Sequence, residues 1–191
     1  MHDKLIETIN VDHLLSNVEI SLIKKYFESV ILPKNRIIEE EGKIPAYLYF
    51  IVSGYLRLFH YNEQGDEITT HINCPPGFFT SYFHFSNQSI SDENVSCITR
   101  CELLRITKTD LETLVEQSDA IKNYSIGVFQ KSLIYNENRS QELATLRGEQ
   151  RYKKLIHNFP DIIHHVPISY IASFLGMKAE SLSRIRRKLN Y

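Results

Sequence analysis

Short apolar runs separated by turn residues fill residues 30–106, and this pattern limits the possible folds more than any other feature of the chain. The runs are rich in β-branched and aromatic residues, as at 47–52, 55–59 and 103–106. Each run is long enough for a strand and too short for a typical globular helix. Residues 62–65, Asn-Glu-Gln-Gly, have the composition of a hairpin tip. Many short strands at regular spacing predict a β-sandwich or β-barrel.

Helical periodicity precedes and follows this strand-rich segment. Apolar residues recur near helical spacing over residues 12–28, which predicts a first helix. Thr107 begins a capping sequence for a short helix ending near Val115, and the pattern after it predicts a longer helix over residues 118–146. A helix of roughly 27 residues is long for a globular domain and favours a partner helix. Two shorter core helices with a break near Gly127 or at Asn136-Glu137-Asn138 would also fit the pattern.

The composition is that of a globular protein. Hydrophobic residues make up 42% of the chain and charged residues 24%, which provides enough apolar material for a core. No run approaches the roughly 18 apolar residues of a membrane helix, and the first residues lack a signal-peptide pattern. We therefore expect a cytoplasmic protein that does not contact a membrane. We find no motif for nucleophilic catalysis or phosphate cradling, so we expect neither an enzyme nor a cofactor.

The cysteines are sparse, which argues against a disulfide framework. There are three, Cys74, Cys97 and Cys101. Cys97 and Cys101 could be metal ligands, but no second Cys or His pair has the spacing of a zinc site. We expect small buried or half-buried thiols and no metal site.

The net charge of −1 conceals an uneven distribution. Residues 147–191 contain nine Lys and Arg and three Asp and Glu, a net charge of +6. The rest of the chain contains 13 bases and 20 acids, a net charge of −7. A basic end on an acidic body indicates a polyanionic partner that contacts one end only, although a solvated basic face would give the same charge.

The strongest local motif lies in residues 166–189. Ile168, Ile171, Ala172 and Leu175 have the spacing of the inner face of a short helix, and Gly176 suits a turn with positive φ. A second inner face follows, formed by Leu182, Ile185 and Leu189. This is the spacing of a helix-turn-helix, with the second helix over about 179–189.

The outer face of the second helix is polar and basic, as expected of a recognition helix in the major groove. Arginine can bond guanine, and glutamate can accept from cytosine. Glu180 and Arg184 lie four residues apart and could instead form a helix ion pair. We predict that the DNA-contacting residues are Lys178, Glu180, Ser181, Ser183, Arg184, Arg187 and Lys188.

With these motifs in this order, the sequence resembles the Crp/Fnr family of bacterial regulators over nearly its whole length. Gly42, Gly54, Gly65 and Gly77 fall where the sensor barrel of that family has turn glycines. Residues 180–184, Glu-Ser-Leu-Ser-Arg, match the Glu-x-x-Ser-Arg pattern of the Fnr-like branch. The resemblance implies that Glu180, Ser183 and Arg184 read bases. Ala179 stands where the cyclic-AMP receptor branch has an arginine, so that contact is missing.

The segment that would hold an effector departs from the family pattern. Nucleotide-responsive members carry Gly-Glu followed by Arg-Ser or Arg-Thr, whereas the arginine is missing here and acids lie nearby. Burying a phosphate against these acids would be unfavourable, so we expect that the effector is not cyclic AMP. Residues 1–73 contain no cysteine, which also departs from the iron–sulfur sensor of Fnr. The candidate pocket residues are Ser81, Tyr82, Phe83, Asp92, Glu93 and Asn94.

The predicted architecture is α+β. It comprises a sensor domain of the cyclic-nucleotide-binding type (1–117), a dimerisation helix (118–146) and a helix-turn-helix domain (147–191) with no β-hairpin wing. The expected partners are duplex DNA, a second copy of the chain and an unidentified small-molecule effector, with RNA polymerase as a further candidate. The alternative is a ligand- or partner-binding barrel whose basic tail binds a protein. The predicted dimer contacts are Ile121, Tyr124, Val128 and Phe129.

Overall fold

A computed structural model describes residues 1–189 of the chain. Asn190 and Tyr191, the last two residues of the predicted helix-turn-helix domain, lie outside the described residues. Within the described part, two helices come first and eight strands follow. The helices are α1 (His2–Asn10) and α2 (Asn17–Tyr26). The strands are β1 (Glu28–Leu32), β2 (Ile37–Glu39), β3 (Tyr47–Ser53), β4 (Leu56–Tyr61), β5 (Glu67–Asn73), β6 (Gly77–Phe79), β7 (Asn94–Cys97) and β8 (Cys101–Thr107).

The strands form two four-stranded antiparallel sheets, ordered β1-β8-β3-β6 and β2-β7-β4-β5. The predicted β-sandwich is thereby confirmed. The hairpin tip between β4 and β5 is also where it was predicted, since the Asn62 N–H donates to the Asp66 carbonyl and Gly65 has a φ of +82°. Glycine adopts that left-handed conformation without steric cost. A short helix, α3 (Tyr82–Asn87), follows β6.

The N-terminal helix prediction over residues 12–28 is wrong in its bounds. Within residues 12–28 the helix is α2 (Asn17–Tyr26), which begins with a capping box at Ser16, and a separate helix α1 precedes it at His2–Asn10. The Ser16 side chain accepts from the Glu19 N–H, and the Glu19 carboxylate accepts from the Ser16 N–H. This cap starts a new helix and leaves Leu14 89% exposed. The missed helix α1 contributes Leu5 to the core.

The long helix is continuous. Thr107 caps α4 (Lys108–Gln117), and the Ser118 hydroxyl accepts from the Ile121 N–H at the start of α5 (Asp119–Thr145). The single long helix is confirmed, and the alternative of two helices is wrong. No helix within residues 1–189 is long and apolar enough to cross a membrane.

Within residues 1–189, four helices follow α5 and contribute to one apolar cluster. They are α6 (Gly148–Asn158), α7 (Ile162–His165), α8 (Ile168–Phe174) and α9 (Ala179–Lys188). Tyr152, Leu155, Ile171 and Leu182 are buried among them. All three cysteines are free, with Cys97 and Cys101 buried and Cys74 half-buried, as predicted.

The C-terminal helices pack on the sandwich through α8 and β5. Ile72 of β5 and Ile98 after β7 belong to the same apolar cluster as Ile171 and Phe174 of α8. The Thr69 N–H of β5 donates to the Ser173 hydroxyl over 2.9 Å. Because β5 is the last strand of its sheet, α8 covers an edge that would otherwise be open.

Candidate nucleic-acid interface and sensor site

The turn between α8 and α9 is closed by backbone hydrogen bonds. The Met177 N–H donates to the Ala172 carbonyl over 3.0 Å, and the Gly176 N–H donates to the Ser173 carbonyl over 2.9 Å. Gly176 has a φ of +64°, and a Cβ at this position would lie 3.3 Å from Cδ2 of Leu143. The turn therefore requires glycine, as its place in the motif predicts.

The predicted inner faces meet as expected. Ala172, Leu175 and Leu182 are buried between α8 and α9, and Ile185 packs against the same cluster. Ala172 is small where the two helices approach each other. The local spacing of the sequence therefore builds a helix-turn-helix in the structure.

The opposite face of α9 carries the predicted DNA-contacting side chains at the surface. Lys178, Glu180, Ser183, Arg184 and Arg187 are exposed. The Arg184 Nε lies 3.5 Å from the Glu180 carbonyl oxygen, at the limit of a hydrogen bond. Among residues 1–189, no ion pair joins the Glu180 carboxylate to the Arg184 guanidinium. Both charged groups are consequently available to a ligand.

Two of the predicted contact residues differ from these. Ser181 is only half-exposed. Lys188 is exposed, but its ammonium lies 3.0 Å from the Glu149 carboxylate of α6. Hydrogen bonds from Lys153 and Lys188 lower the pKa of Glu149. Lys188 therefore joins α9 to α6, a contact across 39 positions of sequence that the local spacing could not reveal.

The predicted effector pocket contains carboxylates where an anion would need cations. Glu39 is only 6% exposed, and it accepts from the Thr80 hydroxyl over 2.7 Å and from the Ser81 N–H over 3.0 Å. The Ser81 hydroxyl donates to Glu93, and the Ser91 hydroxyl lies 3.3 Å from that of Ser81. Within residues 1–189, Ser81 has no hydrogen bond to an arginine. Sequence reasoning selected Ser81 and Glu93 but missed Glu39, which lies in a three-residue strand.

The other four predicted pocket residues lie elsewhere. Tyr82 and Phe83 are exposed on α3, and Tyr82 contacts Phe129 of α5 with ring centroids 5.0 Å apart. Asp92 is exposed and pairs with His84. Asn94 is buried, and its side-chain oxygen accepts from the Glu41 N–H. The predicted pocket is corrected to buried Glu39 and Ser81 with half-buried Glu93, because neighbouring residues of a strand or a short helix point in different directions.

The predicted dimer face of α5 also needs correction. Ile121 is 4% exposed and Tyr124 is 9% exposed, and both lie in the core that α1, α2 and α4 share with the sandwich. Val128 packs against the same core. These three side chains are therefore not free to meet a second helix. Phe129 is 39% exposed and stays available.

A different stripe of α5 is apolar and exposed. Ile126, Phe129 and Leu133 recur at spacings of three and four, which places them on one side of the helix. Leu133 is 62% exposed, and Ile134 beside it is 57% exposed. Every residue from Phe129 through Asn138 is exposed. We call the set Ile126, Phe129, Leu133 and Ile134 the outer stripe of α5.

Comparison with known proteins identifies the architecture. Residues 29–118 match the family model of the cyclic nucleotide-binding domain. The structure superposes on CLP, a c-di-GMP-responsive global regulator from Xanthomonas campestris, with a TM-score of 0.71 at 18% identity over 92% of each chain. FixK2 from Bradyrhizobium japonicum gives a TM-score of 0.72 at 15% identity, over 86% of this chain and 84% of that chain. A transcriptional regulator of the Crp/Fnr family from Eubacterium rectale gives 0.68 at 17% identity, over 92% and 84% of the two chains.

The chain shares the fold of these three regulators. A search of curated protein sequences found no match. The low identity to the solved structures establishes a shared fold, and the resemblance inferred from the turn glycines and the C-terminal motif is confirmed at that level. In this fold the sandwich precedes the long helix α5, and the helix-turn-helix of α8 and α9 follows it.

Replacing Glu39 by glutamine is expected to change how stability depends on pH. Burial raises the pKa of Glu39 from 4.5 to about 7, despite opposing hydrogen bonds from Ser81 and Thr80. The folded chain thus keeps a proton that the unfolded chain releases near pH 4.5, so this group makes stability fall as pH rises from about 4.5 to about 7. Glu39→Gln stays neutral, and the free energy of unfolding at pH 8 should rise by on the order of 1–3 kcal/mol.

Urea unfolding at pH 4 and pH 8 measures this effect. The exposed neighbour Glu40 provides the control, because Glu40→Gln removes a carboxylate without removing a buried charge. At pH 8 we expect a higher free energy of unfolding for Glu39→Gln and no comparable increase for Glu40→Gln. Equal stability of Glu39→Gln and the wild type at pH 8 would contradict a raised pKa for Glu39.

Proposed function

We propose that this chain is a sequence-specific DNA-binding transcription regulator that acts as a homodimer and inserts α9 into the major groove. The observation that carries the proposal is the division of α9 into two faces. One face packs on α8 through Leu182, while the other presents Glu180, Ser183, Arg184 and Arg187 to solvent. An α-helix with an exposed polar face of this kind fits the major groove.

The base-reading roles follow from side-chain chemistry. Arg184 can donate two hydrogen bonds to guanine, and Glu180, one turn earlier on the same face, can accept from cytosine. The Glu-x-x-Ser-Arg resemblance adds Ser183 to this set. Arg187 and Lys178 are suited to phosphate contacts, which position a protein on DNA without reading sequence. Lys188 takes that role only if it exchanges Glu149 for a phosphate.

The homodimer rests on the outer stripe of α5. Long helices whose apolar residues repeat every three and four positions pair through that stripe. Of the four residues predicted from the sequence, the stripe retains Phe129, and it replaces Ile121, Tyr124 and Val128. A symmetric pair would place two recognition helices on successive major grooves, on the order of 34 Å apart.

The effector of the sensor domain is proposed not to be a cyclic nucleotide. A cyclic phosphate placed beside Glu39 and Glu93 would lie against carboxylates, and no arginine bonds to Ser81 in the described chain to offset them. Desolvating an anion in such a site is unfavourable. Titration calorimetry with cyclic AMP is therefore expected to give no binding heat, and micromolar binding would refute this part of the proposal.

Replacing Arg184 by alanine is expected to separate base reading from phosphate contact. Specific affinity should fall by roughly 1–3 kcal/mol per half-site, with relaxed preference at one base pair. Gel-shift titrations on a preferred and a random duplex over a range of salt concentrations measure both effects. The control is Arg187→Ala, which should weaken both duplexes alike and lower the salt slope by about 1. An equal loss of affinity for both duplexes in Arg184→Ala would show that Arg184 contacts a phosphate and not a base.

Replacing Leu133 by glutamate is expected to dissociate the dimer. Pairing would then bury two carboxylates, one from each copy, against the apolar outer stripe of the other copy, which is unfavourable. Sedimentation velocity at micromolar concentration should show a dimer for the wild type and a monomer for Leu133→Glu. Asn138→Glu, on an exposed flank of the same helix, is the matched control and should stay dimeric. A monomeric wild type would contradict the homodimer.

A further inference from the structure

A buried arginine of the sandwich contacts the helix-turn-helix directly. Arg57 lies in β4 and is only 4% exposed. Its guanidinium lies 3.7 Å from the ring centroid of Tyr170 in α8 and 4.0 Å from that of Phe59. A charged group of the sensor is thus held between an aromatic ring of its own strand and one of the helix-turn-helix.

Hydrogen bonds from the sheet fix the Arg57 guanidinium in place. It donates to the Ser96 hydroxyl over 3.2 Å, to the Thr69 hydroxyl over 3.4 Å and to the Glu67 carboxylate over 2.5 Å. These partners come from β5 and β7, the two neighbours of β4. A planar guanidinium held in this way has little freedom to turn. It therefore presents a fixed flat surface to Tyr170.

Two further contacts join the same surfaces. On the side of β5 that pairs with no strand, the Thr69 N–H donates to the Ser173 hydroxyl of α8 over 2.9 Å. From α5, the Arg139 guanidinium donates to the Thr70 carbonyl over 2.9 Å and to the Phe174 carbonyl over 2.7 Å. The sandwich, the long helix and α8 are thus linked at one place.

The contact leaves the recognition helix free. Tyr170 and Ser173 of α8 face the sandwich, whereas Ala172 is buried in the packing against α9. Arg184 and Arg187 of α9 stay exposed while α8 is held. Docking on the sandwich therefore fixes the orientation of α9 without covering it.

We propose that Arg57 is a positioning residue for DNA binding, which sets the orientation of the helix-turn-helix on the sandwich through the face of the Tyr170 ring. This inference rests on the proposed DNA-binding function. A helix-turn-helix that is already oriented loses less freedom when two copies engage one duplex, and its affinity is higher for that reason. Arg57 acts through Tyr170 and does not touch DNA.

The test compares two substitutions of Tyr170. Tyr170→Phe keeps the ring face that a cation requires, and the Tyr170 hydroxyl has no hydrogen-bond partner among residues 1–189. Tyr170→Leu removes the ring and keeps an apolar side chain of similar reach. The contact should be lost in the leucine variant alone.

Hydrogen exchange of the Thr69 amide, followed by NMR, reports docking without DNA. This N–H is protected by the Ser173 hydroxyl of α8. Tyr170→Leu should accelerate its exchange on the order of tenfold, as expected from losing a desolvated cation–π contact. Tyr170→Phe should leave the exchange rate unchanged. Equal rates in the two variants would overturn the inference.

DNA affinity provides the second measurement, on the full-length chain and a duplex selected from a random pool. Tyr170→Leu should weaken binding on the order of tenfold, while the salt slope stays the same because no phosphate contact is lost. Tyr170→Phe should bind like the wild type. Arg57→Met should weaken binding at least as much, and in this background Tyr170→Leu should add little, since both variants remove the contact between the Arg57 guanidinium and the Tyr170 ring.

Each other outcome counts against the inference. Tighter DNA binding by Tyr170→Leu would mean that the contact restrains the helix-turn-helix from DNA rather than orienting it. Unchanged affinity with faster Thr69 exchange would limit Arg57 to a role in packing. If the wild type selected no duplex at all, the DNA-binding proposal would fail and with it the positioning role, whereas the exchange experiment would still report whether Arg57 docks α8.

Discussion

The open edge of β5 is the constraint on which the arrangement of this molecule depends. An unpaired strand edge presents backbone groups that must be hydrogen-bonded or covered. Here α8 covers it, and the Ser173 hydroxyl accepts from the Thr69 N–H. Ile72 of the sandwich then shares one apolar cluster with Ile171 of the helix-turn-helix. The sandwich and the helix-turn-helix consequently pack on each other through β5 and α8.

The group of Glu39, Ser81 and Glu93 is acidic, and we propose that this chemistry excludes a cyclic phosphate. Glu39 is buried beside Ser81, which also bonds Glu93, and burial raises the pKa of Glu39 to about 7. A carboxyl with a raised pKa keeps its proton closer to neutral pH, and after losing the proton it repels an anion. The sandwich thus matches the cyclic nucleotide-binding domain and carries two carboxylates, Glu39 and Glu93, at the group we describe.

Sequence reasoning succeeded where structure is decided locally. The helix-turn-helix follows from inner faces and one turn glycine within about two dozen residues, and the strands follow from short runs between turn residues. The pattern of residues 118–146 predicted the long helix, and in the structure Ser118 caps its start. Each of these signals lies within the segment that it describes, and packing elsewhere did not override them.

Sequence reasoning failed where distant packing decides. The long helix is apolar on two sides, and only the position of α1, α2 and α4 shows that Ile121 and Tyr124 face the core while Leu133 faces outward. Glu39 lies in a strand of three residues, and its burial depends on the distant residues Thr80 and Ser81. No local periodicity carries that information, because it comes from strand pairing across the chain.

Selection of duplexes from a random DNA pool by the full-length chain tests the central claim most directly. The account predicts enrichment of an inverted repeat whose half-sites lie about one helical turn apart, on the order of 34 Å between centres. The Fnr-like pattern of residues 180–184 implies a TGA-type core in each half. Recovery of a pool with no common sequence would contradict the claim that α9 reads bases and would favour a basic segment that binds another protein.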